Sequence, residues 1–85
     1  MKRKRLSRKN AVYTTRLSDT TVMINYSEKE KLLEIEFTGG RIYHYFKVPP
    51  ELWEEYRAHL KAEGSSGAFV NTRIKPFYSF EEIIE

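Results

Sequence analysis

From about residue 19 onward, apolar and polar positions take turns along the chain. Val22, Ile24 and Tyr26 alternate with Met23 and Asn25, the period-two signature of a half-buried strand. Ser27–Lys31 is polar and reads as a turn. Leu33, Ile35 and Phe37 then alternate with Glu34 and Glu36, predicting a second strand with one wet face. Gly39-Gly40 supplies the positive backbone φ that a tight hairpin needs. Ile42–Lys47, rich in β-branched and aromatic residues, predicts a third strand. Short links between the three make an antiparallel meander. Val48-Pro49-Pro50 ends it, because proline donates nothing to a strand ladder and restricts the residue before it.

The period then changes. A helix is predicted from about Pro50 to Glu63, with proline at its first position and Glu51, Glu54 and Glu55 toward the positive end of its dipole. Leu52, Trp53, Tyr56 and Leu60 fall on one side, so that face should pack on Leu33, Ile35 and Phe37. Gly64 is positioned to stop the helix. Ser65-Ser66-Gly67 reads as a capping loop before a second short helix through Ala68, Phe69, Val70 and Arg73. That helix should end by about Ile74, since Lys75 precedes a proline. Ser79–Glu82 has the form of a capping box with Ile83 and Ile84 behind it, although the six residues there are too few for a helix that is stable without docking. The expected fold is therefore α+β: a three-stranded antiparallel β-meander packed by one amphipathic helix and a second short helix.

Which face Tyr43 and Tyr45 occupy depends on the hairpin register, because a slip of one residue turns every side chain over. A two-residue Gly39-Gly40 turn sets Tyr43 opposite Glu36 and Tyr45 opposite Glu34, on the wet face, where aromatic rings can stack bases. A three-residue Thr38–Gly40 loop with a bulge sets Tyr43 opposite Ile35 and Tyr45 opposite Leu33, under the helix. The first arrangement places two carboxylates beside any base-stacking surface and buries His44 among Ile35, Ile42 and Phe46. The balance favours the bulged loop and structural tyrosines.

Composition adds limits. Leu, Ile, Val and Phe number 21 of 85 residues, above the roughly one-fifth level under which charged chains stay disordered. A core is affordable, but a small one. The absence of cysteine removes disulfides and thiolate metal sites. No apolar run approaches the ~20 residues of a membrane span and none resembles a signal peptide, which leads to the expectation of a cytoplasmic protein.

Charge divides the chain in two. Lys2, Arg3, Lys4, Arg5, Arg8 and Lys9 place six of the 15 basic residues in the first ten positions, without an acid among them. The remaining 75 residues carry nine basic against 12 acidic groups. Residues 1–18 thus read as a basic flexible arm and residues 19–85 as a single, mildly acidic domain. Such an arm suits nucleic acid, an anionic surface or, in a eukaryote, nuclear import, and a solubilising disordered terminus accounts for the same residues.

Catalytic chemistry is poorly supplied. His44 and His59 are the only histidines and Asp19 the only aspartate. Glu34 and Glu36, like Glu51, Glu54 and Glu55, have the placement of solvated carboxylates. No spacing matches a zinc site, a phosphate loop or a nucleophile elbow. No cofactor or metal is expected, and the chain reads as a non-catalytic binding module. One local anion site suggests itself where Ser65 and Gly67 open a helix with Arg73 and Lys75 nearby, although a serine cap and a glycine turn account for the same residues.

The order Tyr26, Leu33, Phe37, Gly40, Tyr43-His44-Tyr45, Val48-Pro49, Ala62, Ser65-x-Gly67, Phe69, Asn71, Ile74 and Tyr78 resembles the KTSC domain. That small family is named for its occurrence at the C-terminus of some lysyl-tRNA synthetases, and stand-alone bacterial or phage proteins also carry it. The resemblance spans residues 20–78, and its strongest part is Tyr-x-Tyr-x-x-Val-Pro followed by Ser-x-Gly-x-Phe. The family pattern commonly has serine where this chain has Asp19-Thr20-Thr21, and the basic arm and Ser79–Glu85 lie outside it. The company of a synthetase implies RNA as partner. The rival expectation is a protein partner, met by an exposed strand edge or helix face.

Overall fold

The computed structural model describes residues 4–14 and 20–84. Five strands form one antiparallel sheet in chain order: β1 (Val12–Tyr13), β2 (Thr21–Ser27), β3 (Leu32–Phe37), β4 (Ile42–Tyr45) and β5 (Phe80–Glu82). Between β4 and β5 lie helix α1 (Pro50–Lys61), helix α2 (Ser66–Phe69) and a π-helical turn over Val70–Ile74. A 3-10 turn, Arg8–Asn10, precedes β1. The α+β class and the two helices agree with the sequence, but the sheet has five strands rather than three.

Each added strand has a physical origin that local patterns hide. β5 comes from the supposed capping box. Phe80 pairs with Tyr45 and Glu82 with Tyr43, so this stretch extends the sheet instead of starting a helix. β1 has only two residues and pairs Val12 with Ile24 and Tyr13 with Met23, too short to show alternation.

The hairpin between β3 and β4 is the bulged form. Leu33 faces Tyr45, Glu34 faces His44 and Ile35 faces Tyr43. Phe37 N–H donates to Arg41 at 2.7 Å, and Gly39 and Gly40 have φ of 97° and 92° in the loop. Tyr45 is accordingly buried and Tyr43 half-buried on the helix side.

That side holds the main core. Ile24, Tyr26, Leu33, Ile35 and Tyr45 meet Leu52, Trp53 and Tyr56 of α1 and Phe69, Val70 and Ile74 beyond it, with Phe37 and Leu60 at the margin. Trp53 stacks on Tyr26 at 5.4 Å and Tyr56 on Phe69 at 4.3 Å between ring centroids. These pairs explain why so small a core holds together, since each ring buries a large apolar area. Tyr56 also shares a hydrogen bond with Ser66 Oγ at 2.5 Å, which joins α1 to α2.

The end of α1 differs from the simple glycine stop. Glu63 takes the left-handed conformation, at φ 62°, and Gly64 does not. A Cβ on Gly64 would sit 2.4 Å from the His59 ring, which donates to Ser65 O at 2.8 Å, so the ring would have to shift.

The opposite sheet face departs most from expectation. Met23, Asn25, Glu34 and His44 are all fully buried, so the face expected to be wet is closed. Residues 4–14, expected to be part of a loose arm, lie against it and against the edge of β2. The body therefore sits between a helical layer and an N-terminal strap.

Candidate functional site

The strap is held by the face it covers. Asn25 and Glu34 are neighbours across β2 and β3, and Glu34 and His44 are neighbours across β3 and β4, so the pleat aligns all three side chains in one row. Glu34 accepts hydrogen bonds from His44 Nε2 at 2.7 Å and from the Leu6 N–H at 3.0 Å. The Arg5 guanidinium lies over it, with Nε 3.3 Å from Glu34 Oε2 and Nη2 3.4 Å from both Glu34 Oε1 and Glu36 Oε1. Asn25 Nδ2 donates to Ser7 O at 2.9 Å, while its Oδ1 accepts the Tyr26 N–H. Burial by itself would raise the Glu34 carboxyl, but the bonds from His44, Leu6 and Arg5 outweigh it and hold the group at about 2. The reading of Glu34 as a solvated carboxylate is thus overturned. Nδ1 of His44 has no hydrogen-bond partner among the described residues.

Anchoring Arg5 decides where the rest of the strap points. Lys4, Arg8 and Lys9 remain exposed. Lys9 and Asn10 line a cleft of about 570 Å³ together with Trp53, Glu54 and Arg57 of α1 and with Glu28. The Arg57 guanidinium lies 5.9 Å from the Trp53 ring centroid and pairs with Glu54 at 3.1 Å. The guanidinium is thus held between the ring face and the Glu54 carboxylate. Lys2 and Arg3 lie outside the described residues.

The remaining candidates are dispersed. Ser65 Oγ accepts the Ala68 N–H as an ordinary helix cap. Gly67 is buried. Arg73 forms a two-pronged pair with Glu55, at 2.6 and 3.1 Å. The proposed helix-start anion site therefore has its serine oxygen and its arginine already engaged. Tyr43, Tyr45 and Lys75 do come together, with Asn71, around a separate cavity of about 170 Å³. There the tyrosines pack edge-on or tilted against Phe80 at 5.1 and 5.6 Å, and Tyr43 against Phe37 at 5.3 Å. Burial pushes the Tyr45 phenol above its ordinary value. These rings are occupied by one another, which supports their structural reading.

Sequence reasoning passed over Asn25, Glu34, His44 and Arg57. The register that places Tyr43 opposite Ile35 also places Glu34 opposite His44, and a carboxylate facing an imidazole was the available signal. Nothing in the pattern announced Arg57.

No cluster of three or more His, Asp or Glu residues suited to a metal occurs among the described residues. No helix among them is long and apolar enough to cross a membrane. Fold and site together define a small α+β domain whose antiparallel sheet carries helices on one face and a basic strap on the other. Its family is shown by sequence: residues 18–78 match the family model of the KTSC domain, and the chain belongs to that family. Among solved structures it is similar to a KTSC domain protein from Yersinia pestis, with a TM-score of 0.61 and 26% identity over 82% of this chain and 94% of the other. A protein of Tsukamurella paurometabola is 43% identical over 51 residues, 60% of this chain and 70% of that protein. A lysine–tRNA ligase of Nostoc punctiforme is 39% identical over 59 residues, which are 69% of this chain but 10% of the ligase.

Proposed function

We propose that this KTSC domain is a non-catalytic nucleic-acid-binding module that grips single-stranded RNA with its basic N-terminal segment. The carrying observation is the convergence of Lys9 and Asn10 from the strap with Arg57 and Trp53 from α1 on one cleft. Two cations and the Trp53 ring line it together with Glu28 and Glu54, although more than forty residues of sequence separate Lys9 from Trp53 and Arg57. Phosphates would pass along Lys4, Arg8 and Lys9, and a nucleotide would enter the cleft beside Arg57. The likeness to part of a ligase named for tRNA supports RNA as the nucleic acid. Arg5 takes no part, because Glu34 and Glu36 already neutralise it.

This assignment changes how binding must be tested. Deleting the whole segment would also uncover Glu34 and Asn25, so substitution is cleaner. Lys4→Ala, Arg8→Ala and Lys9→Ala combined remove three phosphate contacts, and should lower the slope of log affinity against log salt by about 2. Titration of labelled single-stranded RNA at two salt concentrations reads it directly. Arg57→Ala should weaken binding without altering the slope by more than about 1. An unchanged slope in the triple variant, or no binding by the intact protein at low salt, would sink the proposal.

A further inference from the structure

The row Asn25, Glu34, Glu36 and His44 has the properties of a receptor rather than of a simple stabilising pair. It reads three consecutive residues through three kinds of group: the Arg5 side chain, the Leu6 N–H and the Ser7 carbonyl. Two of those are main-chain groups that any extended peptide offers, while the guanidinium sets the sequence requirement. The receptor residues all lie inside the stretch matched to the family, residues 18–78, whereas the occupying tripeptide lies outside it. Receptor and occupant are thus separable parts of the chain.

We propose that this sheet face is a binding groove for an extended, arginine-bearing peptide segment of a partner protein, held in this chain by its own Arg5–Ser7. Charge complementarity selects the occupant. Glu34 is fully buried and needs a cation, and its two oxygens with that of Glu36 match the planar fork of arginine better than the point charge of lysine. Asn25 and the Glu34 carboxylate then fix the direction of the incoming backbone. Tethering supplies the native occupant at an effective concentration on the order of millimolar, so a partner segment enters when it binds more tightly than that or when the strap is drawn away. The groove residues Asn25, Glu34, Glu36 and His44 do not line the cleft beside Arg57, so a peptide titration reads the groove whether or not the protein binds RNA.

The test uses the full chain with Arg5→Ala, which empties the groove of its guanidinium while keeping the groove residues. A blocked Lys-Arg-Leu-Ser peptide, corresponding to residues 4–7, is titrated and followed by chemical-shift changes at the Asn25 side-chain amide and the His44 ring. The Arg5→Ala protein should bind this peptide at least tenfold more tightly than the wild type does, and at least tenfold more tightly than it binds the same peptide with citrulline, which is neutral, for arginine. Adding Glu34→Gln should abolish the response. Should that double variant fold poorly, Glu36→Gln on the Arg5→Ala background, at a half-buried position, should still weaken binding severalfold. Equal response to the arginine and citrulline peptides, equal binding by wild type and Arg5→Ala, or no response at millimolar peptide would overturn the groove.

Discussion

Glu34→Gln is the most informative single change, because it keeps the size of the side chain and removes its charge. Arg5 and His44 would lose the carboxylate they both contact. A fall of the carboxyl from its ordinary 4.5 to about 2 corresponds to roughly 3 kcal/mol of folding stability at neutral pH. The measured cost of removing one partner from a buried pair, ~3–5 kcal/mol, has the same size. For a domain of this length, whose total stability is of the order of 4–13 kcal/mol, that is a large share. The sign follows from which state binds the proton. The unfolded chain protonates first as pH falls, so the contribution is complete above about pH 5 and disappears as pH drops toward 2. Urea denaturation followed through Trp53, the only tryptophan, should show wild type ahead of Glu34→Gln by ~3 kcal/mol at pH 7. The gap should shrink by roughly 2–3 kcal/mol on going to pH 2.5. A gap of the same size at both pH values would refute the charge argument, and a difference below ~1 kcal/mol at pH 7 would show that the strap is not held by Glu34.

Other changes test the helical side. Trp53→Ala should destabilise by ~3–5 kcal/mol in chemical denaturation, since it removes the ring stacked on Tyr26. Gly64→Ala should lower the thermal midpoint by several degrees by driving a methyl into His59, and His59→Ala on that background should recover part of the loss. Lys31→Gly should be neutral or stabilise by up to ~1 kcal/mol, because Lys31 is exposed and sits at φ 52°.

Much of the helix side could be read from the chain. Leu33, Ile35, Leu52, Trp53 and Tyr56 announced themselves by period, Pro50 by its place at the helix start, and the bulged hairpin by the poor company the alternative gave His44. The strap side was illegible for a different reason. Alternation shows that two faces differ, not that the more polar one meets water. Met23, Asn25, Glu34 and His44 are polar or soft enough to look wet, and they are closed in by an N-terminal segment that lies 18 positions from Asn25 and 28 from Glu34 at its hydrogen bonds. β5 was missed because a serine three residues before a glutamate has the local form of a helix start, whereas its pairing with β4 is a contact between stretches far apart in sequence. Long-range partners decided both cases.

The sheet has every strand beside its neighbour in sequence, from β1 to β5. Such a ladder closes only short loops apart from the helical excursion, so its hairpins can zip up one after another and folding should be quick for a protein so rich in strand. The strap contributes a contact of another kind, joining Arg5 to Glu34 across 29 positions. It gains its anchor only once β3 and β4 have brought Glu34 and His44 into line. A short peripheral segment held by a few long-range bonds is the kind of unit that opens locally, ahead of the whole molecule. Amide protons of Leu6 and its neighbours should therefore exchange with solvent far sooner than those of β3, in a protein that has otherwise not unfolded at all.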